Sequence, residues 1–387
     1  MTAVGGDNRR GIRQTAVIWG IAHAINDGYP TLYLALLPVL MLRWHFGVAQ
    51  AGLLAGLLTL TTQAMQPLWG WWADRLGGPW FIVGGLIAGS VGNALGLAWA
   101  PSYAVFAVAL MLAGLGNAAF HPHMAALVTQ TGSTDKGRKM SGWMVSGMIG
   151  HALAPLAAVA AWQWEGKWGL TALAIPGVLA AGILYQSARK LKRPAATDKP
   201  HLREALRNAW GRGRAFFLMV VLRNLGTASL LTLLPIFWTD RGGALSQTGL
   251  LLSVVYAAGM VGNLMGGRQS DRWGPRPILV ISLLGAAGAA LSWPLISGTG
   301  EIFWFAVAVW GFMINGAGAV LLVYGQSLFP GRAGMASGLT LGLGNTIGGF
   351  GVWAVGRLAE SGGISWAVIA AALCLAASIP PAAWLAV

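Results

Sequence analysis

Residues 70–77 read GWWADRLG, and residues 267–274 read GRQSDRWG. Gly, Asp, Arg and Gly hold the same places in both, and Asp271 follows Asp74 by 197 positions. The same offset persists outward. Pro38 follows two leucines, and so does Pro235, 197 positions on; Ser141 and Gly142 return as Ser337 and Gly338, 196 positions on. One nearly constant offset across three apolar segments predicts a second half that copies the first in the same direction. Such self-similarity sets the architecture before any local reading begins.

What is copied is apolar. Of 387 residues, 56% are hydrophobic and only 9% are charged, against about 25% charged in a soluble domain. So few charges cannot cover a soluble body of this size, which excludes an ordinary globular enzyme, while the apolar content excludes disorder. The single cysteine, Cys374, excludes a disulfide scaffold. Apolar segments lie at about 14–41, 47–73, 80–99, 102–130, 140–162, 168–187, 215–238, 246–267, 276–297, 301–328, 333–357 and 364–386. Each is long enough to span a bilayer as a helix and too long for a barrel strand. The expectation is an all-α membrane protein with 12 transmembrane helices in two pseudo-symmetric six-helix bundles. Residues 1–187 form the first bundle, 188–214 a basic linker and 215–387 the second.

The formal net charge is +14, and its placement argues against nucleic acid. Twelve spans with the N-terminus inside put 20 of the 25 Lys and Arg on the inner side. That bias predicts a multi-pass protein of a bacterial inner membrane with both termini cytoplasmic. The linker, ARKLKRPAATDKPHLREALRNAWGRGR, reads as a solvated tether with a surface helix near 202–210, in contact with anionic lipid. Trp69, Trp71, Trp72, Trp162, Trp164 and Trp168 read as interfacial belt residues. No cleavage site follows the first apolar run, so no removable leader is expected.

Ten of the 11 acidic residues fall in loops or at helix ends, and Asp27 does not. It lies about midway through the first span, where a carboxylate costs a few kcal/mol and marks function by default. His23 precedes it by four residues, on the same helix face. His121 and His151 also fall at membrane depth, in the fourth and fifth spans. Imidazole titrates near physiological pH, so Asp27, His23 and His121 are the candidates for proton coupling. A permanent structural pair is the alternative for Asp27.

Arg223 is the other charge inside an apolar run. Under the 197-residue offset it maps to Asn26, and Asn224 maps to Asp27. Arg223 therefore reads as a partner for Asp27 across the halves, as a site for an anionic substrate group, or as a snorkelling arginine. With it, Tyr29, Tyr33, Gln63, Asn117, His151, Asn224, Tyr256, Asn315, Tyr324 and Asn345 are candidate substrate-cavity residues.

Parallel repeats of six helices with a Gly-x-x-[Ala/Ser]-Asp-Arg-x-Gly loop after each second helix resemble the major facilitator superfamily. That resemblance implies a substrate site between the halves near the midplane. It also implies a gating role for Gly70, Asp74, Arg75, Gly77, Gly267, Asp271, Arg272 and Gly274. Over residues 20–160 the chain is similar to the fosmidomycin-resistance family of that superfamily. The motifs that carry the likeness are HAINDG at 23–28, QPLWG at 66–70, ADR at 73–75, PW at 79–80, APSY at 100–103 and GLGNAAFHP at 114–122. His123 stands where the family pattern has an acid. SGMIGHALAP at 146–155 is similar to the Gly-rich stretch of superfamily antiporters but lacks the Gly before Pro155.

The resemblance implies proton-driven efflux of a drug or small organic metabolite by a secondary antiporter, monomeric, with protons, a small-molecule substrate and membrane lipid as partners. No cofactor, no resident metal and no enzymatic activity are expected, since no nucleotide loop or nucleophile elbow is present. The alternatives are a proton-coupled importer of a metabolite, an exporter of a metal chelate held by His and Asp ligands, and a non-transporting receptor with a dry interior.

Overall fold

The computed structural model describes residues 17–66, 68, 69, 72, 79–130, 136–188, 202–328 and 342–385. All regular structure among them is helical. Helix α1 covers 17–28 and α2 covers Leu32–Trp44; a 3-10 turn, Tyr29–Thr31, joins them. Pro30 causes the turn, because it has no N–H to donate and its ring crowds the preceding carbonyls. Helix α3, Val48–Thr59, runs on into a π turn over Leu60–Ala64. Then follow α4 (Trp80–Trp99), α5 (Tyr103–Gln130), α6 (Lys136–Ala172) and α7 (Ala174–Ala188).

Helix α6 is two helices meeting at a bend. Glu165 and Gly166 leave helical geometry, and Gly166 has φ 52°, a conformation that favours glycine. A side chain on Gly169 would run into the Ala161 carbonyl, so the backbones on either side of the bend touch. The bend falls between the fifth and sixth apolar segments of the sequence.

The second half of the chain contributes α8 (Leu202–Asp240), α9 (Thr248–Trp273), α10 (Pro275–Ser292), α11 (Glu301–Gly316), α12 (Gly318–Ser327), α13 (Gly344–Gly362), α14 (Ile364–Ala377) and α15 (Ile379–Ala383). Among the described residues, eight helical stretches are long and apolar enough to cross a membrane. One of them, Gly142–Gln186, contains the bend in α6, and Val48–Ala64 is a shorter apolar helix.

The chain divides into two compact units, Met1–Leu32 with Leu68–Thr197, and Tyr33–Pro67 with Asp198–Val387. In the first, Trp19, Ala22, Ile82, Leu86, Phe120, Met124, Trp143, Ala181 and Leu184 form a buried core. Lipid tails are as apolar as these side chains, so in a bilayer the core is held by close packing rather than by transfer out of water. Small residues set helix spacing: a side chain on Gly85 or on Gly116 would meet the other's carbonyl, so α4 and α5 touch backbone to backbone.

In the second unit α3 lies along α13 by the same device. Gly52 faces the Val352 carbonyl, and Gly356 faces the Ala49 backbone. Trp238, Trp293 and Trp310 are fully buried there, where aromatic packing rather than an interface holds them. Arg241 donates to the Trp293, Pro294 and Ile296 carbonyls and lies 4.3 Å from the Phe237 ring centre. It thereby caps the end of α10, where carbonyls lack helical partners.

Helices α11 and α12 form one stretch broken at Ala317. The peptide groups beside the break are met by side chains from other helices. Arg223 Nη2 donates to the Ile314 carbonyl at 2.6 Å, and the Ala319 N–H donates to Asn263 Oδ1 at 3.0 Å. Inserted side chains and glycines at 316 and 318 are recognised causes of such a kink.

Candidate functional site

Asp27 is the next-to-last residue of α1, three positions before Pro30, and its carboxylate is enclosed from three helices. His23, one turn earlier, places Nε2 at 3.0 Å from Asp27 Oδ2. His121 on α5 places Nε2 at 3.0 Å from Oδ1. Asn26 Nδ2 donates to Oδ1 at 3.2 Å. His151 on α6 has Nε2 at 4.0 Å from Oδ2, beyond hydrogen-bond reach. The side chains of His23 and Asp27 are 4% and 12% exposed, so water does little of the solvation.

The other face of each imidazole is also fixed. His23 Nδ1 lies 2.7 Å from the Trp143 carbonyl, and the His23 ring stacks on Trp143 with centres 3.7 Å apart. Ser146 Oγ donates to the same carbonyl at 2.5 Å. His121 Nδ1 lies 3.0 Å from the Asn117 carbonyl, and Asn117 Nδ2 donates to the Asn26 carbonyl at 3.0 Å. Helix α6 comes this close because Gly147 and Gly150 carry no side chain. A Cβ at Gly147 would strike Asp27 Oδ2 and the His23 ring, and one at Gly150 would strike the Ala24 carbonyl.

The ligand atoms of His23, Asp27 and His121 all lie within 4.8 Å of one another, a donor set suited to a divalent ion. The same contacts also suit shared protons. The two Nε2–carboxylate contacts are 3.0 Å, an ordinary charge-assisted hydrogen-bond length.

The remaining candidates separate by unit. Tyr29, in the first, donates its hydroxyl to the Leu173 carbonyl at 2.6 Å and accepts from the Gly177 N–H at 3.1 Å. It braces the start of α7. In the second unit, Asn224 Nδ2 donates to the Asn345 carbonyl at 2.6 Å, and Asn315 Nδ2 to the Gly311 carbonyl at 3.0 Å. Tyr324 packs on Phe216, Tyr33 is buried, and Gln63 and Tyr256 are half-buried. Arg223 braces the α11–α12 break, and among the described residues no carboxylate lies within ion-pair distance of it.

Gly70, Asp74, Arg75 and Gly77 lie outside the described residues. Of the second copy, Gly267, Asp271 and Arg272 sit in the last two turns of α9. Gly274 ends the helix at φ 83° and donates its N–H to the Ser270 carbonyl at 2.9 Å. That left-handed conformation explains the glycine at this end of the motif.

Sequence reading did not find Trp143, Ser146 and Asn26 as partners of the cluster. Their contributions are two backbone carbonyls, a hydroxyl bond and one amide donor, which leave no ionisable signature. The stretch SGMIGHALAP was the available signal, since its glycines imply close approach of another helix.

Residues 20–352 match the model of the Major Facilitator Superfamily. The chain is 29% identical to the uncharacterized MFS-type transporter YfnC of Bacillus subtilis over 374 residues, 92% of this chain and 89% of that one. It is 27% identical to the fosmidomycin resistance protein of Escherichia coli over 349 residues, 88% of this chain and 85% of that one. Its fold is similar to that of a bacterial homologue of the human lysosomal transporter Spinster, solved inward-facing and unoccupied. There the TM-score is 0.81 at 18% identity, over 97% of this chain and 96% of the other.

Proposed function

The chain belongs to the Major Facilitator Superfamily, and on that premise we propose that it is a proton-coupled antiporter exporting a drug or small organic metabolite by alternating access. It is a multi-pass membrane transporter, and its bacterial relatives support our reading of a bacterial inner (plasma) membrane. In our reading it works as a monomer with both termini cytoplasmic. It has twelve spans, as two six-helix repeats at 1–187 and 215–387 joined by the basic segment 188–214.

One observation carries the proton coupling: a carboxylate in the first apolar segment, which we read as a span, 12% exposed and held by two imidazoles at 3.0 Å. A carboxylate at that depth is retained for function far more often than for stability. Imidazole is the side chain whose charge changes near neutral pH. Gain and loss of protons at Asp27, His23 and His121 then bias the transporter between its states. Efflux is supported by the relative named for fosmidomycin resistance. Arg223, Asn224, Tyr256, Asn315, Tyr324 and Asn345 are our candidates for substrate contact. The GRQSDRWG loop and its counterpart at 70–77 are our candidates for gating.

The test is transport by the purified protein in liposomes. An imposed pH gradient, inside acidic or outside acidic, is crossed with a compound panel that includes fosmidomycin. Uptake that follows the gradient supports the reading. Transport of a panel compound that ignores the pH gradient in both directions rejects proton coupling.

A further inference from the structure

The hydrogen bonds around Asp27 count protons. A backbone carbonyl only accepts. His23 Nδ1 at 2.7 Å from the Trp143 carbonyl and His121 Nδ1 at 3.0 Å from the Asn117 carbonyl must therefore each carry hydrogen. Ser146 cannot supply a hydrogen to His23 Nδ1, because its hydroxyl proton is directed at the Trp143 carbonyl at 2.5 Å. With hydrogen on Nδ1, a neutral imidazole presents a lone pair at Nε2.

Both Nε2 atoms face Asp27, and they face different oxygens, each at 3.0 Å. Without hydrogen between them these contacts set lone pair against lone pair in a buried site. A protonated Asp27 has one hydrogen and satisfies one contact only. Two contacts therefore need two protons.

We propose that His23, Asp27 and His121 form a two-proton site, loaded with both protons in the arrangement seen here. This rests on the proton-coupling reading above and sharpens it to a number. Loaded, the cluster has one carboxylate and two imidazolium charges, net +1 wherever the shared protons sit. Emptied of both, it is net −1.

The groups facing it are few. From α1 they are His23 and Asn26; from α5, His121 and Asn117; from α6, His151 at 4.0 Å, the Trp143 carbonyl, Ser146 and Gly147. Among the described residues, no lysine, arginine or second carboxylate makes an ion pair with the three. Losing both protons leaves the Asp27 charge against two lone pairs. The emptied cluster should open rather than hold this geometry.

The test is histidine-selective 15N NMR of the full chain in lipid nanodiscs, across pH 5–9. The chain has six histidines, and His23→Gln and His121→Gln assign the two signals. At the acid end both should be imidazolium. At the alkaline end both should be neutral, with hydrogen on Nδ1. Potentiometric titration of the wild-type protein against the Asp27→Asn/His23→Gln/His121→Gln variant should count two extra protons released over that range. One extra proton, a histidine neutral throughout, or a neutral form with hydrogen on Nε2 overturns the proposal. The wild-type spectrum alone decides if the triple variant fails to fold. Two protons counted with transport indifferent to pH would remove the coupling reading and leave the site standing. Coupled transport with one proton counted would do the reverse.

Discussion

Glu360 Oε1 accepts a hydrogen bond from the backbone N–H of Ala49 at 3.0 Å. The carboxylate sits at the first turn of α3, where N–H groups have no helical partner and a negative charge is favoured. Its other oxygen accepts from Arg357 at 2.9 Å. The bond therefore ties the start of α3 to the end of α13, beside the glycine contacts that let these helices touch.

If alternating access parts α3 from α13, Glu360 is a latch on the seam. Removing it should favour the open seam by about 1 kcal/mol, roughly fivefold in population. Glu360→Ala should speed thiol labelling of a cysteine placed at Ala49, which is 4% exposed in the closed seam, with Cys374 replaced by serine. Glu360→Gln, which keeps an acceptor but no charge, should fall between. Unchanged labelling in Glu360→Ala would mean that the glycine packing alone holds the seam.

The glycine beneath the proton cluster gives a sharper test. A methyl group at Gly147 would strike both Asp27 and His23, whereas one at Gly142 meets nothing within 4 Å. Overpacking of this kind costs about 1–3 kcal/mol. Gly147→Ala should insert normally yet lose at least tenfold in gradient-driven uptake, and Gly142→Ala should match the parent. Equal uptake by the two variants would show that α6 does not hold the cluster together.

These residues mark where sequence was readable and where it was not. Asp27 and His23 stood out because charge inside an apolar run is costly, and a four-residue spacing fixes their shared face. His121 was legible by type and depth, although nothing local says that it reaches Asp27 across 94 positions. Trp143 was not legible, because what it supplies is a backbone carbonyl and a stacking face. Trp238, Trp293 and Trp310 resemble belt tryptophans in composition, and only packing reveals them as core. The break at Ala317 is hidden too. The stretch 301–327 reads as one long apolar run despite Asn315 and the glycines at 316 and 318, and the partners of its broken peptides, Arg223 and Asn263, come from other helices.

That break makes Arg223 a brace as well as a charge. Asn263→Leu should orphan the Ala319 N–H, and Arg223→Met should orphan the Ile314 carbonyl. Each should destabilise by about 1–3 kcal/mol. The double variant should lose less than the sum, because both groups hold one kink. Thermal unfolding of the four proteins in one detergent measures this. Strict additivity would mean that the two contacts act independently.

The last prediction isolates the carboxylate. Asp27→Asn keeps the size of the side chain and removes its charge and its removable proton. Asparagine's amide offers one oxygen and one nitrogen where the carboxylate offers two oxygens. It can still accept from one imidazolium and donate to a neutral Nε2, so the fold around His23 and His121 should survive. The site then has no carboxylate to draw protons into the membrane or to repel the lone pairs when they leave. Substrate can still cross with the protein's rocking motion, but no protonation step biases the direction. In liposomes this variant should exchange labelled for unlabelled substrate at near the parental rate, while failing to concentrate it when a pH gradient is imposed. Accumulation against a gradient at the parental rate would assign the coupling to the histidines alone. Loss of exchange together with accumulation would instead place Asp27 in substrate binding or in the motion itself.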